Sequence, residues 1–394
     1  MTKDTHAQPY IPDRLLMGPG PSDVSHRVLR SLAAPLLGHL DPAFLEIMNS
    51  TMDLLRYVFE TDNRVTVAMS GTGSAGMEAA FVNFVEPDDQ LVVGVNGLFG
   101  ERMVDVAQRL RARVHRVDAP WGEPLDPNRV RAKVKEVKPK ILAVVHAETS
   151  TGVCQPLEAM AEIAREADCL LLVDCVTSLG GMSVGVDRVG VDIAYSGTQK
   201  CLSCPPGLAP LTAGERAMEA LKSREGPVAS WYLDLSMIES YWGEERFYHH
   251  TAPINMVYGL NEGLRIIREE GLQARFERHC KLGKALQAGL LAMGLDLLVD
   301  SGYRLPMLTS VRIPDGVADA RVRGALLKHY GIEIGGGLGE LKGQIWRVGL
   351  MGESARRKNL LLFLSALGSI LNDMGFGART DEGLREALCR LERQ

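Results

Sequence analysis

The chain lacks most of the features that mark specialised protein classes. No segment approaches the ~18 uninterrupted apolar residues of a membrane span. The opening stretch MTKDTHAQPYIPDR has no apolar leader region, and the closing LERQ matches no retention signal. No internal repeat or low-complexity tract is present. There is no excess of positive charge: the formal net charge is −5, which gives no electrostatic reason to expect nucleic acid or an anionic membrane as partner. A paired-cysteine framework is missing too, because the seven cysteines are odd in number and several lie inside apolar runs such as CLLLVDC. That pattern fits free thiols in a reducing compartment, and a cytoplasmic location is expected.

What remains is an ordinary globular composition, 46% hydrophobic and 24% charged over 394 residues, enough for two or three domains. GPGPSDVS at 18–25 stops regular structure before a helix beginning near His26. From about residue 65, short β-rich runs (VTVAM 65–69, LVVGV 91–95, ILAVVH 141–146, LLLVD 170–174, IAYS 193–196) alternate with helix-period stretches at 74–84, 98–112, 127–137 and 157–167. This rhythm predicts right-handed βαβ crossovers and a three-layer α/β unit with a mostly parallel sheet. Beyond the Pro-Pro-Gly turn the rhythm changes. A long helical pattern over 254–293, broken at Gly271, leads to strands at 309–313, 332–334 and 345–350, a helix at 319–330 and terminal helices, the last over 381–393. The expected division is an N-terminal arm (1–20), a large α/β domain (21–270) and a smaller C-terminal α+β domain (271–394).

Ligands of open parallel sheets sit beyond the carboxyl ends of the strands. Those ends read SGTGS 70–74, NGLFG 96–100, HAETS 146–150, DCVTS 174–178 and SGTQK 196–200. SGTGSAG satisfies G-x-G-x-x-G between a strand and a helix. It suits any phosphate held at a helix N-terminus and equally a plain tight turn. Asp174 ends an apolar strand, where a carboxylate is costly unless it is partnered. It is either a helix cap or the counter-ion of a protonated heterocyclic nitrogen. Lys200, at the end of another apolar strand, is either a solvated loop lysine or an amine nucleophile. Together a phosphate cradle, a buried aspartate and a strand-end lysine are what pyridoxal phosphate requires.

Cys201 and Cys204 form a CxxC. Zinc would need two further ligands, and neither a second CxxC nor a suitably spaced His/Cys pair follows, since His249 and His250 are adjacent. Packing beside the lysine loop is the expected role, and no metal is expected. In the C-terminal part, Arg347 stands among Ile345, Trp346 and Val348, as a structural ion pair or a bidentate carboxylate clamp. The GGGLG loop at 335–339 would allow close backbone approach to a small ligand, or act as a hinge.

From GPGPS at 18 to GLMG at 349–352, the chain resembles the alanine–glyoxylate and serine–pyruvate aminotransferases, class V members of the fold-type-I pyridoxal phosphate enzymes. The blocks LLMGPGPS, SGTGSAGMEAA, HAETSTG, LLLVDCVTSLGG, YSGTQKCL, YHHTAP, GIEIGGGLG and WRVGLMG occur in that family's order. The resemblance implies that Lys200 carries the cofactor covalently and that Asp174 pairs with its ring nitrogen. Thr72, Gly73, Ser74 and Gln199 would bind the phosphate, with Tyr248 and Thr251 reaching over from the neighbouring subunit of a homodimer. Thr149 would lie near the ring hydroxyl, Phe99 would stack on the ring, and Arg347 would hold the substrate carboxylate. The chain departs from the animal enzymes at Phe99, where they carry tryptophan, and at Ser74, where they carry histidine.

The implied activity is ping-pong transfer of an amino group from alanine or serine to glyoxylate or pyruvate. The same scaffold serves ureidoglycine–glyoxylate, pyridoxamine–pyruvate and aminoethylphosphonate–pyruvate aminotransferases. Cysteine desulfurases also share it, but they need a mobile cysteine and the ones here sit on a short tight loop. A nicotinamide-dependent dehydrogenase is the reading from another class. It calls for an acidic residue ending the second strand, where this chain has Asn96.

Overall fold

The computed structural model describes residues 10–392. The five apolar runs are all strands, and two further strands complete their sheet. In chain order these are β1 (Val65–Ser70), β2 (Gln90–Val95), β3 (Arg113–Asp118), β4 (Ile141–Val145), β5 (Leu170–Asp174), β6 (Ile193–Tyr195) and β7 (Leu208–Ala213). The spatial order is β1-β7-β6-β5-β4-β2-β3. Only β7 runs against its neighbours. Its LAPLTA has no alternation, and its proline argues against a central strand. Yet the carbonyl of Pro210 accepts from the Ser196 N–H at 2.7 Å. A residue's N–H and C=O point to the same side of a strand, so the missing donor faces a point past the end of the β6 ladder, and no bond to β1 is lost. The other addition, β3 (RVHRVD), is the polar edge strand; its apolar content is too low to read as a strand in isolation.

Helices α1 (Gly73–Phe84), α2 (Leu98–Arg109), α3 (Pro127–Val137) and α4 (Glu158–Glu166) cover the sheet close to the predicted spans. Pro127 and the Asp126 side chain, which accepts from the Asn128 N–H, start α3 by the usual first-turn rules. A helix over Pro42–Phe59, capped by Asp41, was not foreseen. The long C-terminal pattern is two helices, α5 (Ile254–Glu270) and α6 (Leu272–Ala292), parted at Gly271. Beyond them an antiparallel sheet of β8 (Leu308–Arg312), β9 (Gly335–Gly336) and β10 (Ile345–Gly349) packs with α7 (Asp319–Tyr330), α8 (Arg357–Asp373) and α9 (Thr380–Glu392). The last residue of the predicted 381–393 helix lies outside the described residues. GGGLG begins as a strand, because Gly335 and Gly336 pair with Arg347 and Trp346.

Two large hydrophobic cores result. One gathers residues from Val28 to Ile267 around the seven-stranded sheet. The other gathers Leu282 to Ala387 together with Met17. Met17 joins the second because Leu15–Leu16 add a short parallel strand beside Ile332–Glu333. Between the two cores, Cys201 packs with Ala147, Met307 and Met351. No helix among the described residues is long and apolar enough to cross a membrane.

Candidate active site

The carboxyl ends of β1, β2, β4, β5 and β6 meet, and specific contacts join their loops. Gly73, opening α1, lies so close to the lysine loop that a Cβ there would stand 3.5 Å from the Gly197 Cα and from Val176. Thr149 and Thr177 share a short hydroxyl hydrogen bond. The β2 loop is joined to the β4 loop: the Leu98 N–H donates to Ser150 Oγ at 2.9 Å and the Phe99 N–H to Glu148 Oε2 at 3.1 Å. The smaller unit closes the circle through Arg347, whose Nη1 donates to the Thr149 carbonyl at 3.1 Å and whose Nε donates to the Gly336 carbonyl at 2.8 Å.

Lys200 is 8% exposed. Its ammonium donates to the Pro19 carbonyl, while the Ser22 hydroxyl donates to the Lys200 carbonyl at 2.6 Å. The GPGPS stretch thus covers the lysine, and Gly20 has no room for a side chain: a Cβ would lie 2.6 Å from Nζ. Burial, and then the charge of Arg347, pull the Lys200 ammonium down to about 8. Asp174, 2% exposed, accepts from the Val176 N–H (2.9 Å) at Oδ1 and from the Tyr195 hydroxyl (2.7 Å) at Oδ2. Burial raises its carboxyl to about 6 against those two donors. Arg347 is 6% exposed, and burial lowers it to about 10. Among the described residues none of these three charges has an ion-pair partner.

The residues expected to hold a phosphate lie at the same end of the sheet. Thr72 caps α1 without a side-chain bond and the first turn holds no acidic residue; the Ala75 N–H turns back to the Thr72 carbonyl at 2.7 Å, which leaves the Gly73 and Ser74 N–H groups available to an anion. The buried Gln199 Oε1 has no hydrogen-bond partner; as an acceptor it offers nothing to a phosphate, which the side-chain Nε2–H groups would have to meet. Phe99 is partly buried, and the Arg102 guanidinium lies 4.8 Å from its ring centroid. Tyr248 and Thr251 lie elsewhere, on an exposed segment where their hydroxyls are 3.3 Å apart and the Tyr248 ring meets His39 at 4.8 Å. Neither bonds to the 72–74 loop of its own chain among the described residues.

A chemical fit to pyridoxal phosphate follows from these features: a free helix N-terminus for the phosphate, an unpaired buried carboxylate for the ring nitrogen and a buried amine of lowered proton affinity. The two conspicuous thiols are packed instead. Cys201 Sγ lies 3.5 Å from the Thr177 carbonyl and Cys204 Sγ 3.5 Å from that of Gly259, with burial pushing both up to about 12.

Four contributors escaped the sequence reading: the Pro19–Ser22 cover, Glu148, Tyr195 and Arg102. Glu148 is fully buried and takes the Ser150 N–H and hydroxyl on Oε1 and the Phe99 N–H on Oε2. It caps α2 from another loop, and Gly97 is required beside it, since a Cβ there would lie 2.3 Å from Glu148 Cγ. The available signal was the run HAETS itself, an acidic residue in a strand-end segment that is otherwise uncharged apart from its histidine.

Comparison with known proteins identifies the class. The model of the family described as "Aminotransferase class-V" matches residues 27–343, and the chain belongs to that family of pyridoxal-phosphate-dependent transaminases, with the fold-type-I architecture. The ureidoglycine–glyoxylate aminotransferase of Bacillus subtilis superposes with a TM-score of 0.96 at 44% identity, over 98% of this chain and all of that one. An alanine–glyoxylate aminotransferase from Nostoc sp. gives 0.91 at 49% identity, over 94% and 99% of the two chains. The alanine–glyoxylate aminotransferase of Drosophila melanogaster is 37% identical over 94% of this chain and 96% of its own.

Proposed function

We propose that this protein transfers the amino group of a small amino acid, alanine or serine, to a small 2-oxo acid, glyoxylate or pyruvate. The observation that carries this reading is the convergence of Lys200, Asp174 and Arg347 beyond the carboxyl ends of the strands, each buried and none in a close ion pair among the described residues. When bound, pyridoxal phosphate supplies a ring that delocalises negative charge from the substrate α-carbon. Asp174 keeps a proton on the ring nitrogen. Lys200 tethers the cofactor and, once released, moves the proton from the substrate α-carbon; the lowered proton affinity of its amine suits that exchange. Arg347 holds the substrate carboxylate with the guanidinium edge that Thr149 and Gly336 orient. Thr72, Gly73, Ser74 and Gln199 hold the phosphate, Phe99 covers the ring, and Thr149 reaches the ring hydroxyl.

Tyr248 and Thr251, exposed in one chain, complete the phosphate site of a second copy. A homodimer with shared sites in the cytoplasm accounts for them and for seven free thiols. The two hydrophobic cores support a division into a large domain (21–270) and a small domain (271–394), with Met17 of the arm (1–20) packed into the core of the small one. Glyoxylate is common to the names of all three relatives, which favours it as acceptor. The 0.96 TM-score against the Bacillus enzyme favours a second reading, ureidoglycine as donor. A panel of alanine, serine and ureidoglycine against glyoxylate and pyruvate, compared by kcat/KM, decides. Alanine or serine highest supports the main reading, ureidoglycine highest supports the second, and turnover with none removes both.

A further inference from the structure

Tyr195 closes β6, is fully buried and points its hydroxyl at Asp174 Oδ2, 2.7 Å away. Its backbone is fixed independently of that contact: the carbonyl accepts from the Cys175 N–H at 2.9 Å, and the residue pairs with Asp174 on one side and Leu211 on the other. Burial and the neighbouring carboxylate hold the phenol well above its ordinary value, so it stays a donor across the working pH range. The Val176 N–H satisfies the other oxygen. Asp174 is therefore a carboxylate whose two fixed donors are both neutral. The titratable and charged groups around it are Lys200, Arg102, Glu148 and Cys175 in addition to Tyr195.

We propose that Tyr195 is a positioning residue that fixes the orientation of the Asp174 carboxylate and sets its proton affinity, and hence how much positive charge the cofactor ring retains. This rests on the reading that Asp174 faces the ring nitrogen. A hydrogen bond to a charged acceptor stabilises the charged form. Without the phenol the carboxylate becomes a stronger base, draws the shared proton away from the ring and weakens the ring as an acceptor of negative charge. A residue that only filled space would leave the proton affinity unchanged.

The test is Tyr195→Phe, which keeps the ring and removes the donor. In cofactor-free protein the Asp174 carboxyl is followed by infrared difference titration, its band assigned by its loss in Asp174→Asn. The expected result is a midpoint near pH 6 in the native protein, moved upward by about one unit or more in Tyr195→Phe. In the reconstituted enzyme kcat falls by up to about ten-fold with little change in KM. Coincident Asp174 midpoints overturn the proposal, even if thermal stability drops. The underlying reading is judged separately with 15N-labelled cofactor: a ring-nitrogen signal identical in native protein and Asp174→Asn rejects the Asp174–ring pairing, whatever the carboxyl titration shows.

Discussion

Asp192, at the amino end of β6, is as buried as Lys200 at the other end of the sheet, yet Arg216 stands 3.3 Å from its carboxylate and the Leu171 N–H bonds to it at 2.8 Å. The same holds along that edge: Lys140, before β4, pairs with Asp89, before β2, at 2.7 Å. A cavity of about 1080 Å3 opens there, lined by Asp62, Asn63, Asp192 and Arg216 among others, and the charges in it are largely paired or exposed. At the carboxyl ends, Asp174, Lys200, Arg347 and Glu148 are buried without an ion pair among the described residues. Burying an unpaired charge costs several kcal/mol, and a fold retains it where something else uses it. Missing partners, more than cavity size, separate the reactive end of this sheet from the structural one.

The contrast is broken most severely by Lys200→Ala, which removes both the tether and the proton carrier of the proposed function. Turnover falls by at least about 10³-fold, and borohydride no longer fixes cofactor to the chain. Arg347→Ala follows. Losing a charged clamp lowers kcat/KM by about 10²-fold, mainly through KM for amino and oxo acids, with cofactor affinity retained.

Third is a pH effect on the cofactor-free protein. The folded Lys200 titrates near 8 and the unfolded side chain near 10.4, so between these values the unfolded state binds more protons. Stability therefore rises as pH climbs from 8 to 10.4, by about 3 kcal/mol from this group, and is lost as pH falls through 8. Denaturant midpoints across that window should lose this rise in Lys200→Met.

Glu148→Ala strips the cap from α2 and leaves the Phe99 and Ser150 donors unpaired, costing about 2–3 kcal/mol by urea unfolding. At the structural end, Arg216→Ala removes an ion pair whose arginine is half exposed. It leaves the buried Asp192 carboxylate with the Leu171 N–H as its remaining close donor, costs about 1–2 kcal/mol and leaves turnover untouched. A comparable loss of activity in Arg216→Ala would erase the distinction between the two ends.

The sheet was legible wherever strands were buried on both faces, as in LLLVD and ILAVV, because continuous apolar runs between turn residues have few other solutions. The polar edge RVHRVD and the proline-bearing LAPLTA were not, since each is stabilised by neighbours that only the tertiary fold supplies. The site divides likewise. Lys200, Asp174 and Arg347 stand out in sequence as charges at the ends of, or within, apolar strands. Glu148, Tyr195 and the Pro19–Ser22 cover act through contacts that bridge 21 to 181 positions in the chain, and no local pattern reports those.

The central claim is that the unpaired lysine at the carboxyl ends of the strands is the chemical one. Reduction of the pyridoxal-phosphate-loaded protein with borohydride, followed by peptide mapping, tests it directly. A single phosphopyridoxyl label on Lys200 is the predicted result, and a label on Lys140, Lys222 or any other lysine, or none, would contradict it.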